Sequence, residues 1–116
     1  MGEIAELQRI AWETSESSGF HSRPRTVGDE LALMHSELSE ALEDYRVLGE
    51  ESFKYREEPN EDAGFPKPEG FGAELADCII RILDAAETHG IDLEETLQRK
   101  MVFNTKRSYR HGGKVL

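Results

Sequence analysis

Apolar residues recur at helical spacing in four segments of this chain, and glycines or prolines separate the segments. The spacing predicts helices over residues 3–17, 26–48, 71–88 and 92–108. No segment shows the alternation of apolar and polar residues that is typical of strands. With 116 residues, the chain is expected to form one domain. We therefore expect an all-α fold, a four-helix antiparallel bundle-like protomer.

Local signals indicate where these helices begin and end. Thr26 is a good N-cap residue, and Asp92 is a second one, with Glu95 placed as in a capping box. Residues 50–70 carry three prolines and many charges without any period, which predicts a long surface loop. That loop is either a substrate lid or a solvated connector.

The composition excludes several classes of function. The net charge of −10 argues against a nucleic-acid polymer as partner, because binding a phosphate backbone needs a basic surface. No apolar run is long enough to cross a membrane, and the N-terminus lacks the features of a secretion signal. The single cysteine, Cys78, lies among apolar helix positions, which indicates a buried structural thiol. Together these features predict a cytoplasmic protein without a membrane partner.

Two acidic pairs lie on the second and third helices: Glu37 with Glu40, and Glu74 with Asp77. A spacing of three places the side chains of each pair about 60° apart on one helix face. If the two helices pack together, four carboxylates meet, and a hard divalent cation relieves their repulsion. Either pair alone is common on a solvated helix face. Together the pairs predict a Mg²⁺ site that handles phosphate, with Mn²⁺ as a substitute ion.

The C-terminal part of the chain is basic and contains no acidic residue after Glu95. Lys100, Asn104 and Arg107 fall on one face of the fourth helix. The two cations suit phosphate oxygens, and the amide suits a metal shell or a sugar. An exposed polar stripe is the alternative.

The tail that follows contains His111 and Lys114. It either closes over the ligand, in which case these two residues bind substrate, or frays as a free terminus.

Trp12 and Arg81 are further candidates for the site. Trp12 lies just off the apolar stripe of the first helix, as a stacking platform for a base or as a core or interface residue. Arg81 lies on the acidic face of the third helix, where it pairs with Asp77 or Asp84 or contacts substrate. Residue types and spacing leave both choices open.

The acidic segments, HSELSEALEDYR and PKPEGFGAELADCIIRILD, resemble the double acidic motif of the MazG-type nucleoside triphosphate pyrophosphatases, which belong to an all-α superfamily. The ending KMVFNTKRSYRHGGK is similar to that family's C-terminal helix. The likeness runs from about Leu7 to Lys114. The segment between the acidic motifs is longer than in compact members of the family.

This resemblance implies hydrolysis of nucleoside triphosphates, non-standard or deoxy nucleotides included, to a monophosphate and pyrophosphate. It implies Mg²⁺ at Glu37, Glu40, Glu74 and Asp77, and a homodimer or homotetramer whose subunits shape each pocket together. Hydrolysis also needs a proton acceptor, for which Glu37 and Glu40 are equal candidates. Phosphoribosyl-ATP pyrophosphatase, a deoxyuridine-nucleotide hydrolase and a non-catalytic acidic helical interaction module are the alternatives.

Overall fold

A computed structural model of the chain describes residues 2–107, so the predicted ligands His111 and Lys114 lie outside the described residues. Four α-helices dominate it: α1 (Glu3–Ser17), α2 (Val27–Leu48), α3 (Phe71–Thr88) and α4 (Leu93–Lys106). The predicted all-α class and the number of helices are confirmed. None of these helices is both long enough and apolar enough to span a membrane.

The predicted N-caps of α2 and α4 are confirmed. Asp29 N donates a hydrogen bond to Thr26 Oγ1 at 3.0 Å, and Asp29 Oδ2 accepts one from Thr26 N at the same distance, which forms a capping box. At α4, Asp92 Oδ1 accepts a hydrogen bond from Glu95 N at 3.0 Å. These side chains satisfy backbone donors that a helix start leaves unpaired. The sequence alone therefore indicates where both helices begin.

The segment between α2 and α3, predicted as a long surface loop, is mostly exposed but contains regular structure. It contains a 3₁₀ turn at Gly49–Phe53 and a two-stranded antiparallel sheet, in which β1 (Arg56–Glu58) pairs with β2 (Lys67–Glu69). The expectation that the chain has no strand is therefore wrong. Its physical reason is that the strands read REE and KPE, which contain no apolar residue and leave no periodic signal.

The helices α2 and α3 pack against each other in opposite directions. His89, directly after α3, contacts Glu30 in the first turn of α2, with Nε2 and Oε1 2.7 Å apart. Eight residues before His89, Arg81 of α3 forms an ion pair with Glu37 of α2. This register brings the acidic end of α3 opposite the middle of α2.

The helix α1 packs on α3, and the core between the helices is small. Gln8 Nε2 donates hydrogen bonds to Glu87 Oε1 at 3.0 Å and to the Ile91 carbonyl oxygen at 2.8 Å. Cys78 is a buried free thiol, as predicted. The buried apolar residues of the described chain are Ala11, Ala41, Cys78, Leu83 and Ala86.

The helix α4 is attached mainly through its first turn. Glu94 Oε1 accepts hydrogen bonds from Ile4 N at 3.0 Å and Ala5 N at 3.2 Å, and so serves as a cap for the start of α1. Along its described length, α4 has no buried residue. The helix that carries most of the predicted phosphate ligands is therefore the least packed of the four.

Candidate active site

Three carboxylates meet where α2 and α3 face each other. One side-chain oxygen from each of Glu37, Glu74 and Asp77 lies within 4.8 Å of the others. Glu37 is buried, with 7% of its surface exposed, Glu74 is half-buried and Asp77 is exposed. We call these three residues the acidic cluster. It contains members of both predicted acidic pairs, from two different helices.

Glu40, the fourth predicted ligand, lies at the edge of the acidic cluster. It is exposed on α2, and its carboxylate interacts with Glu74 through hydrogen bonding and charge. Electrostatic interactions therefore link all four predicted metal ligands. Because two of them come from each helix, the register of α2 against α3 decides their convergence.

Gly70 helps to place Glu74. It precedes α3 with a φ of +113°, and its carbonyl oxygen accepts a hydrogen bond from Glu74 N at 3.1 Å. A Cβ at this position would lie 3.2 Å from the Ser52 carbonyl oxygen. Since both the conformation and the space favour glycine, the 3₁₀ turn and the first turn of α3 can approach closely. That approach sets where Glu74 meets α2.

The electrostatics of the acidic cluster are strained. Burial raises the pKa of Glu74 to about 8, assisted by hydrogen bonding and charge from Glu40 and by the carboxylates of Glu37 and Asp77. Its Oε2 atom is buried without a hydrogen-bond partner among the described residues. An ionised carboxylate in this position lacks compensation, so a proton or a cation is favoured there.

Although Asp77 is exposed as a residue, partial burial of its carboxyl group raises its pKa, and the charge of Glu37 raises it further. Two cations oppose that shift, Arg81 on α3 and Lys67 on β2. Lys67 itself is held by Glu69, its nitrogen 3.2 Å from Oε1. The short sheet that the sequence pattern missed thus supplies a positive charge beside the acidic cluster.

Arg81 has a partner that sequence analysis did not consider. Its Nε donates a hydrogen bond to Glu37 Oε1 at 2.8 Å, across the contact between α3 and α2. The predicted pairing with Asp77 or Asp84 along one helix is not among the ion pairs of residues 2–107, although the charge of Arg81 still acts on Asp77. Only the register of the two helices could have revealed the pair of Arg81 with Glu37.

A pocket of about 250 Å³ opens beside the acidic cluster. Glu37, Asp77 and Arg81 form one part of its wall, and the other lining residues are Ser15, Phe20, Arg25, Ile80 and Asp84. A second pocket, of about 620 Å³, lies along the connector between α1 and α2 and shares Phe20 and Arg25 with the first. The acidic cluster therefore borders a cleft with room for a small ligand.

Trp12 is half-buried, and it is not among the residues that line either pocket. Its ring stacks on His21, with ring centroids 5.1 Å apart. His21, which the sequence analysis did not single out, bridges Glu16 at 2.8 Å and Asp84 at 2.9 Å. The structure thus gives Trp12 a packing contact in the connector, and its role as a platform for a base stays a prediction.

The predicted ligands on α4 have a different environment. Lys100 Nζ lies 5.3 Å from the centroid of the Phe103 ring, and the Arg107 guanidinium lies 5.0 Å from it. Asn104 is exposed. Because α4 packs on α1, these side chains are not part of the contact between α2 and α3 within one protomer. Their role in substrate binding stays a prediction.

The donors of the acidic cluster fit a hard divalent cation. Mg²⁺ prefers oxygen ligands and is usually held by one or two carboxylates together with substrate phosphates and water. Three carboxylate oxygens that converge from two helices match that preference. One of the three residues, Glu74, also has a buried oxygen for which the described part of the chain offers no hydrogen-bond partner. Within residues 2–107 no histidine belongs to the group, and Cys78 on α3 is buried in the core, so zinc suits the cluster less well.

Comparison with known proteins adds no relative. No protein-family model matches this chain, and no match was found among the curated proteins or the solved structures.

Proposed function

We propose that this protein is a Mg²⁺-dependent nucleoside triphosphate pyrophosphatase of the MazG type, which releases a nucleoside monophosphate and pyrophosphate. The observation that carries the proposal is the convergence of Glu37, Glu74 and Asp77, with Glu40 coupled to them, at the contact of two helices. Like charges gathered this closely cost free energy in the fold. A role in binding a cation and its phosphate ligand explains that cost.

When bound at the acidic cluster, Mg²⁺ would neutralise phosphate charge and lower the pKa of a water molecule. Glu37, Glu40, Glu74 and Asp77 would hold the ion, and Mn²⁺ would substitute for it. A carboxylate that is not fully used as a ligand accepts the proton of the attacking water. Glu40 and Glu37 are the candidates for this role, and Glu40 has the greater exposure to solvent.

The proposal includes a homodimer or homotetramer. Much of the apolar surface that helical spacing would assign to a core is exposed in one protomer. Leu42 on α2 is 50% exposed and Ile79 on α3 is 55% exposed. Other exposed apolar residues on these two helices include Leu31, Leu38, Tyr45 and Ile80. Contiguous apolar surface of this kind marks a protein contact, and a second copy of the chain is the simplest occupant.

Subunit association would also give α4 a task. Its exposed apolar residues include Leu97, Met101 and Phe103, and its polar face carries Lys100 and Asn104. If the apolar side packs on a second protomer, the cationic side can face that protomer's acidic cluster. The four-helix packing that the sequence predicts would then be completed between subunits.

Product analysis is the direct test. The protein is incubated with Mg²⁺ and a panel of standard, deoxy and non-standard nucleoside triphosphates, with phosphoribosyl-ATP included. Monophosphate together with pyrophosphate supports the proposal. Diphosphate with orthophosphate, or no turnover on any nucleotide, rejects it, and turnover of phosphoribosyl-ATP alone establishes the related activity instead.

Calorimetry separates the enzyme from a non-catalytic interaction module. Titration with Mn²⁺ should show binding to the wild-type protein and lose it in Glu74→Gln. Glu43→Gln is the matched control, since Glu43 is an exposed acid on α2 outside the acidic cluster. A protein that binds no divalent cation would be a module whose acids serve only solubility.

A further inference from the structure

The ion pair between Arg81 and Glu37 joins the acidic cluster to the wall of the adjoining pocket. Arg81 Nε donates to Glu37 Oε1 at 2.8 Å, and Arg81 lines the pocket of about 250 Å³ with Asp77 and Asp84. The two side chains differ in access, since 36% of the Arg81 side chain is exposed and only 9% of the Glu37 side chain. The arginine therefore has freedom to move that the glutamate lacks.

Cation binding and this ion pair compete for the same carboxylate. A divalent ion held by Glu37 draws on the charge and lone pairs that the guanidinium now uses, and it repels the guanidinium itself. The arginine cannot leave its charge unpaired in a half-buried position at low cost. It needs a new anionic partner in the pocket when Glu37 serves as a ligand.

We infer that Arg81 binds a phosphate oxygen of the polyphosphate substrate and that Glu37 holds Arg81 until Glu37 acts as a metal ligand. The guanidinium is planar and always charged, and it pairs with phosphate through two parallel hydrogen bonds. Arg25 lines the same pocket and adds a second positive charge for the same chain of phosphates. This inference rests on the proposed function and assigns a substrate-contacting role to one more residue.

If Arg81 exchanges Glu37 for a phosphate oxygen when the cation binds, Arg81→Gln should change two affinities in opposite directions. The first concerns the cation alone, measured by titrating the protein with Mn²⁺ and no phosphate. Because the competitor for Glu37 is gone, the variant should bind Mn²⁺ about 3–10-fold more tightly than the wild type. Unchanged or weaker binding of Mn²⁺ would show that Arg81 orients Glu37 for the ion, which overturns the exchange.

The second measurement uses inorganic triphosphate at saturating Mn²⁺, a probe that does not depend on the base. Arg81→Gln should bind it at least ~10-fold more weakly, since a charged bidentate contact is lost. Arg81→Lys should recover part of that loss, because lysine restores the charge without the planar fork. Equal binding by wild type and Arg81→Gln would overturn the phosphate contact.

Arg46→Gln is the matched control. It removes the same charge from an exposed position in the last turn of α2. It should leave both affinities within about twofold of the wild type, because Arg46 does not line the pocket and solvent screens its exposed charge. Effects as large as those of Arg81→Gln would show that net charge alone is responsible and would overturn the inference.

These outcomes separate the inference from the function on which it rests. If the wild-type protein binds Mn²⁺ and hydrolyses nucleotides while Arg81→Gln matches it in both titrations, only the inference fails. If the wild type binds neither Mn²⁺ nor triphosphate, both fail. Circular dichroism checks that Arg81→Gln folds. If it does not, Arg81→Lys decides, with weaker triphosphate binding supporting the inference and unchanged binding overturning it.

Discussion

Two groups of cations in this protein contrast in their surroundings. Arg81 and Lys67 act on the acidic cluster, whereas Lys100 and Arg107 lie along α4 against the ring of Phe103. The second group has the clear sequence pattern, since Lys100 and Arg107 are spaced to fall on one face of the predicted fourth helix. In the structure α4 ends at Lys106, and Arg107 follows it with an extended backbone. The first group has no such pattern, because its members come from a helix and a short strand. Charge periodicity within a helix thus did not reveal which cations serve the acids of the same protomer.

Asp77→Asn, which changes the acidic cluster, should have the largest effect on turnover. Loss of one charged ligand should lower turnover about 10³-fold, because cation and phosphate lose their electrostatic support. The fold should persist, since the change removes a charge that others in the cluster repel. Steady-state kinetics with circular dichroism measures both.

Asp62→Asn, in the exposed segment between β1 and β2, is the control for Asp77→Asn. Its turnover should match that of the wild type. Glu40→Gln should behave as Asp77→Asn does, with a loss of orders of magnitude in turnover. A fully active Asp77→Asn enzyme would mean that the acidic cluster is not the catalytic centre.

Subunit mixing tests whether the cations on α4 serve a second copy. Lys100→Ala should reduce turnover by about 10–100-fold if it contacts phosphate. Co-expressed with Asp77→Asn, it should yield dimers of which half are mixed, and each mixed dimer regains one intact site. Turnover of the mixture should then recover to about a quarter of the wild-type value.

A mixture no more active than the mean of its two parents would place the function of α4 within its own chain, or outside the site. That result would contradict the contrast between the two groups of cations. The cations on α4 would then have to reach the acidic cluster of their own protomer, although the packing of α4 on α1 does not bring them there. Size-exclusion chromatography with light scattering confirms that both variants associate as the wild type does.

Glu74→Gln tests the electrostatic strain at the cluster through pH. The folded-state pKa of about 8 lies above the ordinary 4.5, so the unfolded chain ionises first and the wild type loses stability as pH rises between these values. The variant lacks this titration. Its melting temperature should exceed that of the wild type by roughly 5 °C at pH 8.5, which corresponds to about 1–2 kcal/mol after screening by solvent.

At pH 4 the two proteins should differ least, since Glu74 is then protonated in the fold and mostly protonated in the unfolded chain. Mg²⁺ at pH 8.5 should raise the melting temperature of the wild type more than that of the variant, because a ligand stabilises the state that binds it. A lower melting temperature for Glu74→Gln than for the wild type at pH 8.5 would show that the ionised Glu74 carboxylate does not destabilise the fold.

His21 should give the smallest effect. Burial lowers its pKa, but hydrogen bonds and charge from Glu16 and Asp84 outweigh burial, so the pKa stands above 6.5. Its contribution to stability is fully present below pH 6.5 and is lost as the pH rises through the folded-state pKa. His21→Gln should therefore destabilise the protein by less than ~1 kcal/mol at pH 6 and by still less at pH 9.

Chemical denaturation at the two pH values measures this difference. His35→Gln, an exposed change on α2, is the control for the loss of an imidazole and should leave the free energy of unfolding within about 0.5 kcal/mol of the wild type. A destabilisation by His21→Gln that grows with pH would refute the charged bridge between the connector and α3.

Sequence alone determined the helices and the identity of the acidic residues. Periodicity and capping chemistry are local, so Thr26 and Asp92 mark helix starts, and spacings of three place Glu37 with Glu40 and Glu74 with Asp77. Short sheets without apolar residues, such as β1 with β2, escape such signals, because backbone pairing forms them.

The tertiary structure determined which side chains contact each other. The register of α2 against α3 set the hydrogen bond of Arg81 on Glu37, buried one carboxylate and left an oxygen of Glu74 with no hydrogen-bond partner among residues 2–107. It also left the apolar stripes of both helices exposed and α4 apart from the acids. Contacts between residues 44 positions apart depend on how whole helices pack, and local propensity carries no information about that packing.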